Sequence, residues 1–150
     1  SIALNALNLS RAFISTLAVG IMQRALDEAV AYAKQRKQFG KRLIDFEMVQ
    51  QMLADMAIKT EAARVLVNNC MRQMDAGEMV RKDGAIVKTF VTDAMQEVVS
   101  NAVQVLGGYG YSEEYPVEKL MRDAKIFQIF EGSNQIQRMT IAKELDREYR

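Results

Sequence analysis

Residues 46–75 read FEMVQQMLADMAIKTEAARVLVNNCMRQMD. Phe46, Val49, Leu53, Met56, Thr60, Ala63, Val67, Cys70 and Met74 recur every three or four positions without a break. That is the helical period. Held this long with no proline or glycine, it predicts one long amphipathic helix. Asp45 before it is a natural N-cap, and Gly77 after it a natural stop.

The same rhythm continues on both sides. From Leu4 to Lys37, Ala6, Leu9, Phe13 and Leu17 form one stripe, and Ile14, Ala18, Ile21, Ala25, Ala29 and Tyr32 a second. Two stripes make a wide apolar face, suited to a helix with more than one neighbour. Gly40 is expected to close it. A third helix is predicted from Met79 to Leu106, with Ile86, Phe90, Ala94, Val98, Ala102 and Val105 inward and Gly84 weakening its first turns. Pro116, the one proline, opens a short helix, and a last helix starts near Ser133. IFQIF at 126–130 is the only short β-like run, and one run makes no sheet. The expected fold is all-α: a single domain over residues 1–150, built as an antiparallel up-down four-helix bundle.

Composition excludes several chemistries. The chain has 150 residues, 20 Lys plus Arg against 19 Asp plus Glu, no histidine and one cysteine, Cys70. Without histidine there is no Ser-His-Asp or Cys-His nucleophile and no histidine-bearing zinc or haem site. One cysteine forms no intrachain disulfide and no thiolate cluster, so no metal site is expected. Cys70 on its stripe reads as a buried, inert thiol. The charge balance argues against a nucleic-acid surface, and no apolar run is long enough for a membrane span. The first residues lack a signal peptide's basic start, and no initiating methionine is present, so a processed or excised chain is expected. An acid or base here must be Asp, Glu, Lys, Tyr or a cofactor. Ten methionines read first as flexible core filling, with an adaptable binding surface as the other reading.

Three stretches carry chemistry. In AKQRKQFGKRL, Lys34, Arg36, Lys37, Lys41 and Arg42 either complement a helix C-terminus or form a phosphate site, since arginine forks match phosphate oxygens. Phe39 beside them either stacks on a planar base or joins the core. GGYGY at 107–111 is either a helix stop or a place where backbone approaches a ligand closely. In IFEGSNQIQR at 129–138, Glu131 lies between an apolar run and a glycine turn that opens a helix. Ile129 and Phe130 would desolvate its carboxylate and raise its pKa towards a useful base. Equally, it reads as a first-turn glutamate favoured by the helix dipole.

Taken together, RKQFGKRL, LADMAIKTEAARVL, AVQVLGGYGYSEEYPVEKLMRDAKI and IFEGSNQIQR, in this order and spacing, resemble the successive signatures of the acyl-CoA dehydrogenases. The resemblance covers essentially the whole chain and is to their C-terminal helical domain, in the medium- and short-chain branch. It implies an FAD flavoprotein that removes two hydrogens from Cα and Cβ of an acyl-CoA thioester. A glutamate takes the Cα proton, the Cβ hydride goes to flavin N5, and electrons leave through an electron-transferring flavoprotein. It also implies fatty-acid β-oxidation and a homodimer or homotetramer, in the cytoplasm of a bacterium or the mitochondrial matrix of a eukaryote.

By the same resemblance, Glu131 matches the catalytic glutamate. Arg36, Lys37 and Gln38 match the motif meeting the pyrophosphate and adenosine end of FAD, with Phe39 its adjacent aromatic. Phe46 and Glu47 match a second FAD-contacting pair, where Glu47 departs from the usual neutral residue. The stretch from Gln104 through Gly107 to Gly108 matches one that approaches the adenine side from a neighbouring subunit. Ser133, Asn134 and Gln135 match the loop after the base. Arg11 and Gly132 match substrate contacts, and Lys143 aligns with an arginine near the nucleotide end. Ser10 occupies the place where the isovaleryl-type branch carries its base, which disfavours that arrangement. The family's N-terminal helical and middle β domains have no counterpart in this chain, so it alone is expected to show little or no dehydrogenase activity. The alternatives are a non-catalytic oligomerisation or scaffold bundle of the same fold, and an acyl-CoA oxidase-like relative.

Overall fold

The computed structural model describes residues 2–149. Four long helices dominate: α1 (Ile2–Gln35), α2 (Glu47–Asp75), α3 (Arg81–Leu106) and α5 (Asn134–Glu148), with a short α4 (Val117–Ala124) between the last two. Helix α3 is central and packs against each of the others. Cross-links give the directions. Asn8 and Arg11 meet Gly84 near one end of α1 and α3, and Arg36 meets Tyr109 at the other, so these helices run parallel. Lys59 pairs with Glu97 and Cys70 contacts Met79, so α2 runs antiparallel to α3. Arg138–Asp93 and Lys82–Glu148 make α5 antiparallel to α3 as well. The up-down all-α bundle read from the sequence is the fold.

The α1–α3 seam is built from small residues. Ala12, Ala18, Ala25, Ala29 and Ala33 are buried along one face of α1, with Met22 among them. Short side chains let two helix backbones approach closely. Met22, Met56 and Met95 are fully buried and fill the core as read, while Met48 and Met139 lie exposed. The α2 stripe also behaves as read: Leu53, Met56, Thr60, Ala63, Val67 and Cys70 are all buried. Burial, with Asp83 nearby, pushes the Cys70 thiol up. Gly77 follows α2 with φ 70°, and the bonds Gly77 N–H to Met74 O and Glu78 N–H to Gln73 O make a Schellman stop.

Several local expectations are corrected. RKQFGKRL is not a helix end closed by Gly40. Lys37–Gln38 pairs with Lys41–Arg42 in a minimal antiparallel hairpin, with Phe39 and Gly40 both at positive φ as a two-residue hairpin turn requires. Asp45 does not cap α2. It lies in a 3₁₀ turn and pairs with Arg42, while Phe46 holds the N-cap position without a side-chain bond. IFQIF, the one β-like run, forms a 3₁₀ turn and bend, in line with the all-α reading. Ile86 and Phe90 face outward, and Val87 and Val91 are buried in their place on α3. The Leu9, Phe13 and Leu17 stripe of α1 is exposed, Phe13 by 62%. Gly84 is also a packing site: a Cβ there would lie 2.9 Å from Met79 Cε and 3.2 Å from Asn8 Oδ1.

Candidate active site

The sequence-predicted residues gather at two places, one at each end of α3. The first is the loop from Phe127 to Ser133 that leads into α5. Glu131 has φ 58° and Gly132 φ 84°. A glutamate in the left-handed region costs roughly 1–2 kcal/mol and persists only where its surroundings fix it. Gln137 Nε2, at the end of the first turn of α5, donates to Glu131 O at 3.1 Å and to Gly132 O at 3.0 Å. From α3, Lys88 Nζ donates to Gly132 O at 2.9 Å and to Asn134 Oδ1 at 2.6 Å. Asn134 Nδ2 donates in turn to Thr92 Oγ1 and Asp93 Oδ1. Ser133 caps α5 through Ile136 N–H. The peptide planes on either side of Gly132, directly after Glu131, are therefore anchored to two helices.

The Glu131 side chain is exposed in this chain. The expected desolvation by Ile129 and Phe130 is not supplied here: Ile129 is itself 54% exposed, and Phe130 turns to pack on Phe127 with ring centroids 5.1 Å apart.

Behind the loop lie two buried cations. Arg11 is 3% exposed, and its Nε and Nη1 have no partner among the described residues. Burial, reinforced by Arg81, lowers its pKa against the opposing pull of Glu131. Lys88 is 0% exposed, and burial brings its pKa down to about 8, against Asp93 and Glu131, which raise it, and with Arg11, which lowers it. Burial also pushes the Asp93 carboxyl up. Hydrogen bonds from Arg138, Asn134 and Gln128 outweigh that and hold it below the usual carboxylate range.

The second place is an open groove of about 470 Å³ between the end of α1 and the turn after α3. Arg36, Gln38, Gly107, Gly108 and Tyr109 line it, with Tyr32 at its base. Gly107 has φ 62°, and a Cβ at Gly107 or Gly108 would meet nothing within 4 Å, so it would project into open space. A guanidinium facing two bare backbone units suits a phosphate-bearing, planar ligand. Phe39 stands outside, 93% exposed at the hairpin tip and edge-on to Phe46 at 6.3 Å.

Residues 1–145 match the family model described as acyl-CoA dehydrogenase, C-terminal domain. The chain belongs to this family. It is 44% identical over 140 residues to the caffeyl-CoA reductase–Etf complex subunit CarC of Acetobacterium woodii, covering 93% of this chain and 37% of that protein. It is 43% identical over 147 residues to cyclohexane-1-carbonyl-CoA dehydrogenase of Geobacter metallireducens, covering 98% and 39%. The structure of butyryl-CoA dehydrogenase from Megasphaera elsdenii superposes with a TM-score of 0.93 at 46% identity, over 96% of this chain and 38% of that one. The chain thus spans well under half the length of these relatives.

The structure brings Glu131, Gly132, Ser133 and Arg11 together at one end of this acyl-CoA dehydrogenase domain, and Arg36, Gln38, Gly107 and Gly108 at the other. Gln104 is exposed on the last turn of α3 and Gln135 on the first turn of α5. Neither faces its locus through a side-chain bond among those described. Glu47 is exposed at the start of α2. Lys143 is exposed nine residues along α5 from Asn134, roughly 14 Å by helix rise, so it is not brought to the loop. Sequence reading missed Lys88, Thr92, Asp93 and Gln137. The signal for Lys88 was present: a lysine flanked by Ala85, Val87 and Val91 on the buried face of a helix.

Proposed function

We propose that this chain is the C-terminal domain of an FAD-dependent acyl-CoA dehydrogenase and that Glu131 is its base. The observation that carries the reading is the Glu131 loop. Its backbone is fixed by Lys88 and Gln137 in a left-handed turn, while its carboxylate stands exposed at the surface a partner domain would cover. A fixed backbone with a presented carboxylate is what proton abstraction requires. The thioester carbonyl makes the Cα proton removable, and Glu131 takes it as the Cβ–H bonding pair leaves with its hydrogen. FAD, when bound, supplies the hydride acceptor. Arg36 and the bare backbone at Gly107 and Gly108 would hold the pyrophosphate and adenosine end of the FAD that serves a neighbouring subunit, and their groove fits such a group. The acyl-CoA substrate would approach the Glu131 loop in front of Arg11, a buried cation whose charge lies behind that loop. An electron-transferring flavoprotein is the proposed electron acceptor, in keeping with the name of the CarC relative. The same groups serve reduction of the unsaturated thioester when the acceptor supplies electrons.

The exposed Leu9, Phe13 and Leu17 stripe supports oligomer contacts, so a scaffolding role and the catalytic one are compatible. The deciding experiment is Glu131→Gln in the full-length enzyme, followed by stopped-flow bleaching of the flavin by a panel of acyl-CoAs. Bleaching should fall by at least about 10³-fold, while FAD content is kept. Near-normal bleaching would sink the assignment. Oxygen consumption in the absence of an electron-transferring flavoprotein would place the enzyme with the oxidases instead.

A further inference from the structure

Lys88 is a costly residue in a bundle core. An ammonium taken fully out of water is tolerated when it is paired or heavily hydrogen-bonded, and an apolar side chain of similar volume serves packing better. Lys88 is fully buried beside Val87 and Val91, yet among the described residues its Nζ bonds no carboxylate. Asp93, the carboxylate of its own helix that acts on it, is occupied by Arg138, Asn134 and Gln128. Arg11 of α1 brings a second buried cation nearby. Packing and ion pairing therefore do not account for a charge at this position.

Its hydrogen bonds do. Gly132 O accepts from both Lys88 and Gln137, and Glu131 O accepts from Gln137. The peptide planes on either side of Gly132 are thus held, and the direction of the Glu131 side chain follows from them. We infer that Lys88 is a positioning residue for the Glu131 base: its ammonium clamps the Gly132 carbonyl and Asn134 so that the left-handed turn presents the carboxylate in one orientation. This rests on the reading of Glu131 as the base.

The clamp has a built-in pH limit. The groups facing Lys88 are Arg11 from α1, Asp93 from α3, Glu131 from the loop and Arg138 from α5, the last held on Asp93. Burial brings Lys88 to about 8, so it loses its proton just above neutrality. A neutral amine still donates, but a charge-assisted bond is roughly twice as strong as a neutral one. The clamp loosens above this pH and is not abolished.

The test is the pH profile of flavin reduction in the full-length enzyme, unsubstituted and as Lys88→Met. In the unsubstituted enzyme the reduction rate falls about 3- to 10-fold through an alkaline limb near pH 8. In Lys88→Met it is lower by about 10- to 100-fold at pH 7, with no limb near pH 8 and substrate KM changed far less than kcat. A Lys88→Met rate within twofold of the unsubstituted enzyme, or the same alkaline limb in the variant, overturns the inference. If the variant loses FAD or fails to fold, hydrogen exchange in the unsubstituted enzyme decides instead. Protection of residues 129–137, corrected for intrinsic exchange, drops through pH 8 if the clamp titrates, and constant protection overturns it. Glu131→Gln separates the two readings: normal bleaching there removes the base itself, whereas a dead Glu131→Gln beside a normal Lys88→Met removes only the clamp.

Discussion

The guanidinium carbon of Arg36 lies 5.5 Å from the centroid of the Tyr109 ring, joining the end of α1 to the turn that follows α3. These are the two banks of the groove. Tyr109 also packs on Tyr115 at 5.7 Å, and Tyr115 on Tyr32 at 6.0 Å, so the aromatic floor continues under the arginine. The stacked guanidinium keeps its fork of donors for a ligand.

Arg36→Gln should weaken FAD binding by at least about tenfold through loss of a charge-assisted phosphate contact. It should cost the fold only about 0.5–1 kcal/mol, because an exposed cation–π contact contributes little. Flavin retained after ultrafiltration, set against the melting temperature of the same sample, checks this. Loss of folding in step with loss of flavin would contradict it.

Lys88→Met should leave global stability at pH 7 within about 2 kcal/mol. The native state carries Lys88 with its pKa near 8, against 10.5 for the free side chain. Below pH 8 the charge is buried at full cost, roughly 3 kcal/mol, which methionine avoids. Methionine in turn leaves Asn134 Oδ1 without that donor, a loss of about 1–3 kcal/mol. Between pH 8 and 10.5 the unfolded chain binds more protons at this residue than the folded one, so the unsubstituted protein gains on the variant as pH rises. Urea unfolding of both at pH 7 and pH 9.5 measures the difference, and a stability of the unsubstituted protein relative to the variant that falls or stays fixed between the two refutes the sign.

Asp93→Asn should destabilise the bundle by about 1–3 kcal/mol, since Arg138 and Asn134 lose a charged acceptor. The Asp93 carboxyl titrates below its ordinary 3.8, so its contribution is complete above that pH and is lost as pH falls through the folded value. The variant should therefore unfold at higher pH on acid titration, and its deficit should shrink below pH 3.8. Circular dichroism along the titration reads both.

Gly132→Ala should disturb the loop more than the fold. At φ 84° an alanine is strained, and its Cβ would lie 2.6 Å from Gln137 Nε2. We expect about 1–2 kcal/mol of destabilisation together with loss of the Gln137 bonds that fix Glu131. Flavin reduction should fall well beyond what the change in melting temperature explains.

Phe13→Asp on the exposed α1 stripe should shift the full-length enzyme towards smaller species in sedimentation velocity while leaving its circular dichroism intact. An unchanged sedimentation coefficient would show that the stripe is covered by something other than another copy.

Periodicity made the helices legible. The α2 stripe held from Leu53 to Cys70 because one face meets one core. Where a helix serves two surroundings, periodicity alone misleads. Phe13 and Phe90 carry the spacing of core residues and lie exposed, since the rhythm marks an apolar face without saying which molecule covers it. The RKQFGKRL hairpin escaped because two residues per strand give no alternation to read. At the candidate site, Glu131 and Arg36 were found through motif resemblance. Lys88 and Gln137 were not, since their meaning depends on contacts 44 and 6 residues away in the chain.

Lys88, two turns into α3, and Leu106 at its end lie on one uninterrupted helix, eighteen residues and roughly 27 Å apart by helix rise. One end anchors the Glu131 turn and the other opens the Arg36 groove, so α3 acts as a gauge bar that sets both the spacing and the relative azimuth of the two. Substitutions along it can be absorbed by repacking. Inserting or deleting a single residue would turn one end against the other by about 100° and shift it by about 1.5 Å, leaving each locus intact but mismatched to any single ligand or partner surface that spans them.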